Sequence, residues 1–265
     1  MKLSVVICSK YGDTQRIEAS LRRQIYRPYE VLVETGNHLT KQRNNAVKKA
    51  KGDYILFLDD DLTLDRYYLN HMIYTICYYK PDAITGRVRV GIYKPNFLYH
   101  LYSRIFMLSP QGDGKFLPSG FPEGYKKSIV MYSEVLHGCN MAVKKEVFER
   151  VSFREDMEGG MYGEDDWFSW DMKQAGFKVI YNPWAICYDD REYPKNKQRW
   201  STRCRIINLI KRYKERKKNW AGKLAFHWAM TGFILLKLIE SLVMKDKSIT
   251  KGVYDAFLFV LDGRE

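Results

Sequence analysis

"YILFLDDDLT", residues 54–63, runs an uncharged apolar stretch straight into Asp59, Asp60 and Asp61. An apolar run of this length without alternation reads as a strand buried on both faces, the kind found in parallel sheets covered by helices. Three adjacent carboxylates repel one another, so they need full solvation or a cation to hold. Upstream, "LSVVICS" (3–9) is a second buried-strand run, and "YEVLVET" (29–35) reads as a further strand. Between them "DTQRIEASLRRQ" predicts a helix, with Asp13 as N-cap and Ile17 and Leu21 four apart on one face. "TKQRNNAVKKAKG" predicts another, closed by Gly52 at its C-cap position. Strands alternating with helices make an α/β chain with a mostly parallel sheet. Ligands of such sheets bind beyond the carboxyl ends of the strands, which is where the aspartates fall.

Downstream, "DRYYLNHMIYTICYY" (65–79) predicts a helix and "DAITGRVRVGIY" (82–93) a strand. Residues 94–133, with Pro95, Pro110, Pro118 and Pro122, read as an irregular insertion of the kind that serves as a lid or acceptor loop. "SEVLHGCNMAV" then reads as strand, "KKEVFERV" as short helix, "YGEDDWFSWDMKQAG" as loop into helix and "FKVIYNP" as strand. From Lys195 onward the pattern is helical. The expected division is a catalytic domain over 1–193 and a helical C-terminal extension over 194–265.

A chain of 265 residues, 46% of them hydrophobic, is long enough for a full core. Five scattered cysteines without a CxxC pair argue against a disulfide framework and against a structural zinc site. The apolar core of "KLSVVICSK" is too short for a signal peptide, so a cytoplasmic protein is expected. The formal charge of +13 is concentrated late: between Lys195 and Lys223 twelve Lys or Arg stand against Glu215 alone.

A second acidic cluster, Glu164, Asp165 and Asp166 in "GEDDW", opens a helix. Each cluster has a purely structural explanation, since acids cap helices and complement the dipole of a first turn. Hard divalent cations, however, take carboxylate oxygens and leave further positions to substrate phosphates. Two clusters at the edge of one sheet suit a division in which one holds metal and the other acts as base.

The pieces "SVVICSKYGDTQRIEASLRRQ", "YEVLVE", "KQRNNAVKKAKGDYILFLDDDLTLD", "GCNMAVKKEVFERV" and "YGEDDWFSWDMKQAGFKVIYNPWAIC" follow in this order over roughly residues 3–190. In that order the chain resembles an inverting family-2 glycosyltransferase with the GT-A fold, a Rossmann-like, mixed but mostly parallel sheet flanked by helices. The resemblance implies that Ser9 and Glu34 hold the nucleoside and that Arg43 and Asn44 face the nucleotide. It implies Asp59 near the ribose, Asp60 orienting, and Asp61 as ligand of a Mn²⁺ or Mg²⁺ ion. Gly138 and Asn140 of "GCN" would border the donor sugar, and Asp165 would be the general base with Glu164 beside it. Six residues after Pro183, where the family often carries a histidine metal ligand, stands Asp189. The implied reaction moves a sugar from a nucleotide-sugar donor, a UDP-sugar, to a glycan or polyprenyl-phosphate-linked acceptor. The departure "VETGNHLT" falls where the family has an acid followed by Gly-Ser.

"RWSTRCRIINLIKRYKERKKNW" followed by "AGKLAFHWAMTGFILLKLIESLV" sets a basic helix beside an apolar one. Leu224–Leu236 is free of charge for thirteen residues, short of the roughly 20 that span a bilayer, so a peripheral seat on an anionic, cytosolic membrane face is expected. Solvated basic helices packed on the catalytic domain are the plain alternative. No recognised nucleic-acid-binding fold accompanies the basic tract, and no nucleic-acid partner is expected. Other activities compatible with the residues are a nucleotidyltransferase acting on sugar phosphates and a catalytically silent membrane-surface scaffold.

Overall fold

A computed structural model describes residues 1–90, 97–189, 198–215 and 219–262. The chain runs β1 (Leu3–Ser9), α1 (Gln15–Arg22), β2 (Glu30–Thr35), α2 (Leu39–Lys49), β3 (Tyr54–Asp59), β4 (Thr63–Leu64), α3 (Tyr68–Tyr79) and β5 (Ala83–Val90). Then come α4 (Phe97–Ile105), two short strands β6 (Gln111–Gly112) and β7 (Gly124–Tyr125), β8 (Met131–Ser133), β9 (Asn140–Lys144), α5 (Glu164–Gln174) and β10 (Val179–Asp189). Helices α6 (Gln198–Glu215), α7 (Trp220–Val243) and α8 (Lys247–Leu261) follow. The strand expected over 91–93 and the basic residues Lys195, Lys197, Arg216, Lys217 and Lys218 lie outside the described residues.

One compact unit comprises Met1–Tyr93, Tyr125–Asp156 and Glu164–Arg191. Its sheet has the order β2-β1-β3-β9-β5-β10-β4, with β8 also paired to β10. Strands β2, β1 and β3 are parallel, as are β5 and β10, while β9 lies antiparallel between β3 and β5. Both faces are covered. Ile17 and Leu21 of α1 and Leu69, Met72 and Ile76 of α3 pack on one, against Val5, Ile7 and Leu56. Ala46 of α2 and Phe168 and Met172 of α5 pack on the other, against Val6, Phe57 and Met141. Double coverage explains why β1 and β3 carry near-continuous apolar runs.

Two helix ends differ from the sequence expectation. Helix α1 starts one residue later than an Asp13 cap requires, with Thr14 at the cap position and its hydroxyl donating to Glu18 Oε1 at 2.6 Å. Helix α2 stops at Lys49, and Ala50 is already extended. Gly52 serves the packing instead: a Cβ there would lie 2.6 Å from the backbone nitrogen of Ser4, so only glycine lets the chain pass beside β1.

The other unit comprises Lys94–Gly124, Met157–Gly163 and Glu192–Glu265. Part of the expected irregular insertion is therefore helical, as α4, and clusters with the C-terminal helices. Leu108 and Phe121 join Ile206, Phe226, Met230 and Val253 in a separate apolar core. Asn208 of α6 ties down 157–163, accepting from the Glu158 amide at 2.9 Å and donating to the carbonyls of Glu158 and Met161 at 3.1 Å.

Candidate active site

Parallel pairing sets Cys8 beside both Glu34 and Asp59, so Ser9, Glu34 and Asp59 reach the same carboxyl edge of the sheet. The Ser9 hydroxyl accepts from the Gly12 amide at 3.0 Å, and Glu34 accepts from Lys49 Nζ at 2.5 Å. Gln42, which the sequence did not single out, donates to the carbonyls of Ser9 and Glu34 at 3.1 and 2.7 Å and so fixes the two strand ends together. Its position one residue before Arg43 and four before Ala46, on the apolar face of α2, is the signal that could have found it. Burial pushes the Cys8 thiol up to about 12, which makes it a packing group rather than a nucleophile.

Arg43 joins the two acidic clusters. It is 2% exposed, and its guanidinium donates to Glu164 Oε1 at 3.1 Å and to the Gly138 carbonyl at 2.7 Å, with Asp59 Oδ1 at 4.0 Å. The rings of Phe153 and Phe57 lie 5.2 and 5.9 Å from it. A charge this deeply desolvated costs several kcal/mol unless it is paired. Burial opposes its charge, and Glu164 and then Cys8, Asp59 and Asp165 outweigh that, raising its pKa.

Glu164 is buried at the start of α5, whereas Asp165 is half-buried. Burial, then the neighbouring Asp165, pushes the Glu164 carboxyl above the ordinary 4.5, while Arg43 pulls it back. Asp165 Oδ2 accepts from the Gly138 amide at 2.9 Å and Oδ1 from the Asp166 amide at 3.0 Å, so its plane is fixed. Gly138 has no room for a side chain: a Cβ would lie 2.9 Å from Glu164 Oε1 and 3.1 Å from Asp165 Oδ2. Next to it, the ring of His137 faces the Gly86 carbonyl at 3.4 Å; burial lowers its pKa, against a smaller opposing effect of Asp165.

Two residues of the expected nucleotide site make hydrogen bonds within the fold. Asn44 donates to the Phe153 carbonyl and to Glu155 Oε1, both at 2.8 Å, and accepts from the Phe153 amide, pinning the loop that carries the aromatic floor under Arg43. Asn140 is fully buried; its side chain accepts from the Tyr68 hydroxyl and from the Gly86 amide and contacts Cys187 Sγ at 3.2 Å. It braces β9 against its neighbours.

Asp61 follows β3 and is half-buried, and Asp189, the last residue of β10, is buried. Antiparallel β4 and β10 pair Thr63 with Tyr188 and Leu64 with Cys187, so Asp189 directly follows the paired stretch on the side from which the chain comes through Asp61 and Leu62 into β4. Among the described residues no group of three or more His, Cys, Asp or Glu side chains gathers as a metal cage. Carboxylates of this kind, one half-buried after β3 and one buried at the end of β10, suit a hard cation that would take its remaining ligands from substrate phosphate and water. Asp60, between Asp59 and Asp61 in the chain, is half-buried.

The family model described as glycosyl transferase family 2 matches residues 6–152, just over half of the sequence. The chain belongs to glycosyl transferase family 2. Glycosyl transfer is thus the reaction class of this glycosyltransferase, and its sheet is that of the GT-A enzymes. Residues 1–349 of S. aureus TarS superpose with a TM-score of 0.58 at 13% identity, over 97% of this chain and 79% of that one. A mannosyltransferase from Pyrobaculum calidifontis, solved with GDP-Man and Mn²⁺, gives 0.55 at 14% identity over 100% and 88%. GalNAc-T7, solved with UDP, GalNAc and Mn²⁺, gives 0.56 at 14% identity over 80% of this chain, which spans about half, 48%, of that one. No curated protein matches the glycosyltransferase in sequence.

Proposed function

We propose that this glycosyltransferase moves a sugar from a nucleotide-sugar donor, a UDP-sugar, to a hydroxyl of a glycan or polyprenyl-phosphate-linked acceptor by a single inverting displacement. The observation that carries the reading is the fixed carboxylate of Asp165. It is half-buried, gripped by the Gly138 and Asp166 amides, and belongs to the same network through which Arg43 reaches Asp59. A hydroxyl is a poor nucleophile near neutral pH, so a carboxylate in hydrogen-bond reach takes its proton as the oxygen attacks the anomeric carbon. The bond from that carbon to the diphosphate oxygen breaks on the opposite face, and the nucleoside diphosphate leaves with the electron pair.

Ser9, Glu34 and Asp59, on one edge, suit the nucleoside side. Asp61 and Asp189 would hold Mn²⁺ or Mg²⁺, which when bound neutralises the diphosphate as charge gathers there. The Mn²⁺ and nucleotide ligands of GalNAc-T7 and of the Pyrobaculum mannosyltransferase support that pairing of donor and metal. Arg43, Gly138 and Glu164 act in this reading as positioning residues around Asp165, while Asn44 holds the 153–155 loop and Asn140 braces β9. The basic and apolar C-terminal helices favour an acceptor met at the cytosolic membrane face.

The test is a panel of nucleotide sugars with and without chelator, read by nucleoside diphosphate release and by the anomeric configuration of the product. Chelator-sensitive release and an inverted product are expected. A retained configuration, or release indifferent to metal, overturns the corresponding part.

A further inference from the structure

Helix α7 has two apolar faces. Phe226, Ala229, Met230 and Phe233 are buried in the core shared with α6 and α8. On a different side Trp220, Leu224, Trp228, Leu235, Ile239 and Leu242 recur at helical spacing and are 43–78% exposed. A helix of a globular protein needs one apolar stripe; a second, about 36 Å long over its 24 residues, is a liability in water.

The helix of the insertion extends this surface. On α4, Phe97, Leu101 and Ile105 are exposed along one side. Helix α4 is fastened to α7 by Trp228 Nε1 donating to the Ile105 carbonyl at 2.7 Å and by the Tyr102 hydroxyl donating to the Gly232 carbonyl at 2.8 Å. The Phe106 and Trp228 rings stack with centroids 4.7 Å apart. A Cβ on Gly232 would lie 2.2 Å from Phe106, so the contact depends on glycine at that position. Two segments more than a hundred residues apart thus present one apolar surface.

Its charge says what covers it. Helix α7 carries Lys223 and Lys237 against Glu240, Arg216, Lys217 and Lys218 precede it in the sequence, and α4 carries Arg104 and no acid. A second copy of the chain would bring like charge onto like charge. An anionic bilayer offers both an apolar layer and negative headgroups, with each nearby Lys or Arg contributing on the order of 1 kcal/mol, and Trp220 and Trp228 suit the headgroup boundary. Helix α7 is long and apolar enough to cross a membrane by length and composition. Its packed face and the Lys237–Glu240 pair, 2.5 Å apart, favour lying along the surface instead. We propose that α4 and α7 together form one membrane-docking surface, seated in the headgroup–acyl boundary of anionic lipid, with the insertion helix an equal contributor. The inference deepens the membrane part of the proposed function and rests on that part alone.

The test uses the full chain and vesicles of phosphatidylcholine with and without phosphatidylglycerol, read by co-sedimentation. The wild type should bind the anionic vesicles, and Phe97→Glu on α4 and Leu224→Glu on α7 should each weaken partitioning about tenfold. Tyr74→Glu, an exposed aromatic of the other unit, should leave it unchanged. Should Phe97→Glu fail to fold by circular dichroism, Leu98→Gln takes its place. Binding that survives the α4 variant while falling with the α7 variant overturns the joint surface. Absence of vesicle binding, or a concentration-dependent dimer broken by the same variants, overturns the bilayer as its occupant. Donor turnover without vesicles reports separately on the catalytic reading, so either can fail alone.

Discussion

Arg43 and Glu164 lie 121 positions apart in the chain, yet the guanidinium of one donates to the carboxylate of the other at 3.1 Å inside the protein. That pair links the acidic cluster after β3 to the acidic cluster that opens α5. Removing one partner leaves the other charge buried without compensation, which typically costs about 3–5 kcal/mol. Arg43→Gln should therefore lower unfolding free energy by about that amount in urea. Arg43→Gln combined with Glu164→Gln should lose less than the sum of the single variants, and strict additivity would dissolve the coupling.

The raised pKa of Glu164 sets a pH dependence. Because burial first, and then Asp165, lifts its folded-state value above 4.5, the unfolded chain gives up this proton at lower pH than the folded one. Its contribution is fully present below about 4.5 and is lost as pH rises through the raised value. Urea titrations across that window should show wild-type stability declining relative to Glu164→Gln. An unchanged difference between the two proteins would contradict the assignment.

Gly138→Ala inserts a Cβ 2.9 Å from Glu164 Oε1 and 3.1 Å from Asp165 Oδ2. The carboxylates must give way, and displacements near 1 Å at a reacting group cost on the order of 10²-fold. The drop should fall on kcat with KM for the donor little changed, measured by initial rates of nucleoside diphosphate release. A loss confined to KM would place Gly138 in donor binding instead.

Asp165→Asn keeps the shape of the side chain but cannot take a proton. Transfer should fall about 10²–10⁴-fold while donor affinity by calorimetry stays near wild type, as for a group that acts in the transition state. Near-normal turnover would remove Asp165 from the role of base.

Asp61→Ala and Asp189→Asn should each weaken donor binding roughly 10–100-fold in the presence of Mn²⁺ and leave the weak metal-free binding unchanged. Equal donor affinity with and without chelator in the wild type would count against both ligands.

The local pattern of the sequence determined the elements: apolar runs at 3–9 and 54–59 became β1 and β3, and both acidic clusters fell at ends of elements where ligands of α/β sheets bind. It also marked the basic, apolar C-terminal helices. The tertiary structure alone decided which of the polar residues meet. Strand β9 enters antiparallel between β3 and β5 and brings Gly138 under Arg43, Asn44 turns to the 153–155 loop, and Asn140 disappears into the core. It likewise drew α4 out of an apparently irregular insertion and onto α7. The reason is one of range: periodicity and capping act over a few residues and can be read locally. A buried ion pair across 121 positions, or a glycine that must admit a neighbouring ring, follows from the order of strands and the docking of helices, which local pattern does not encode.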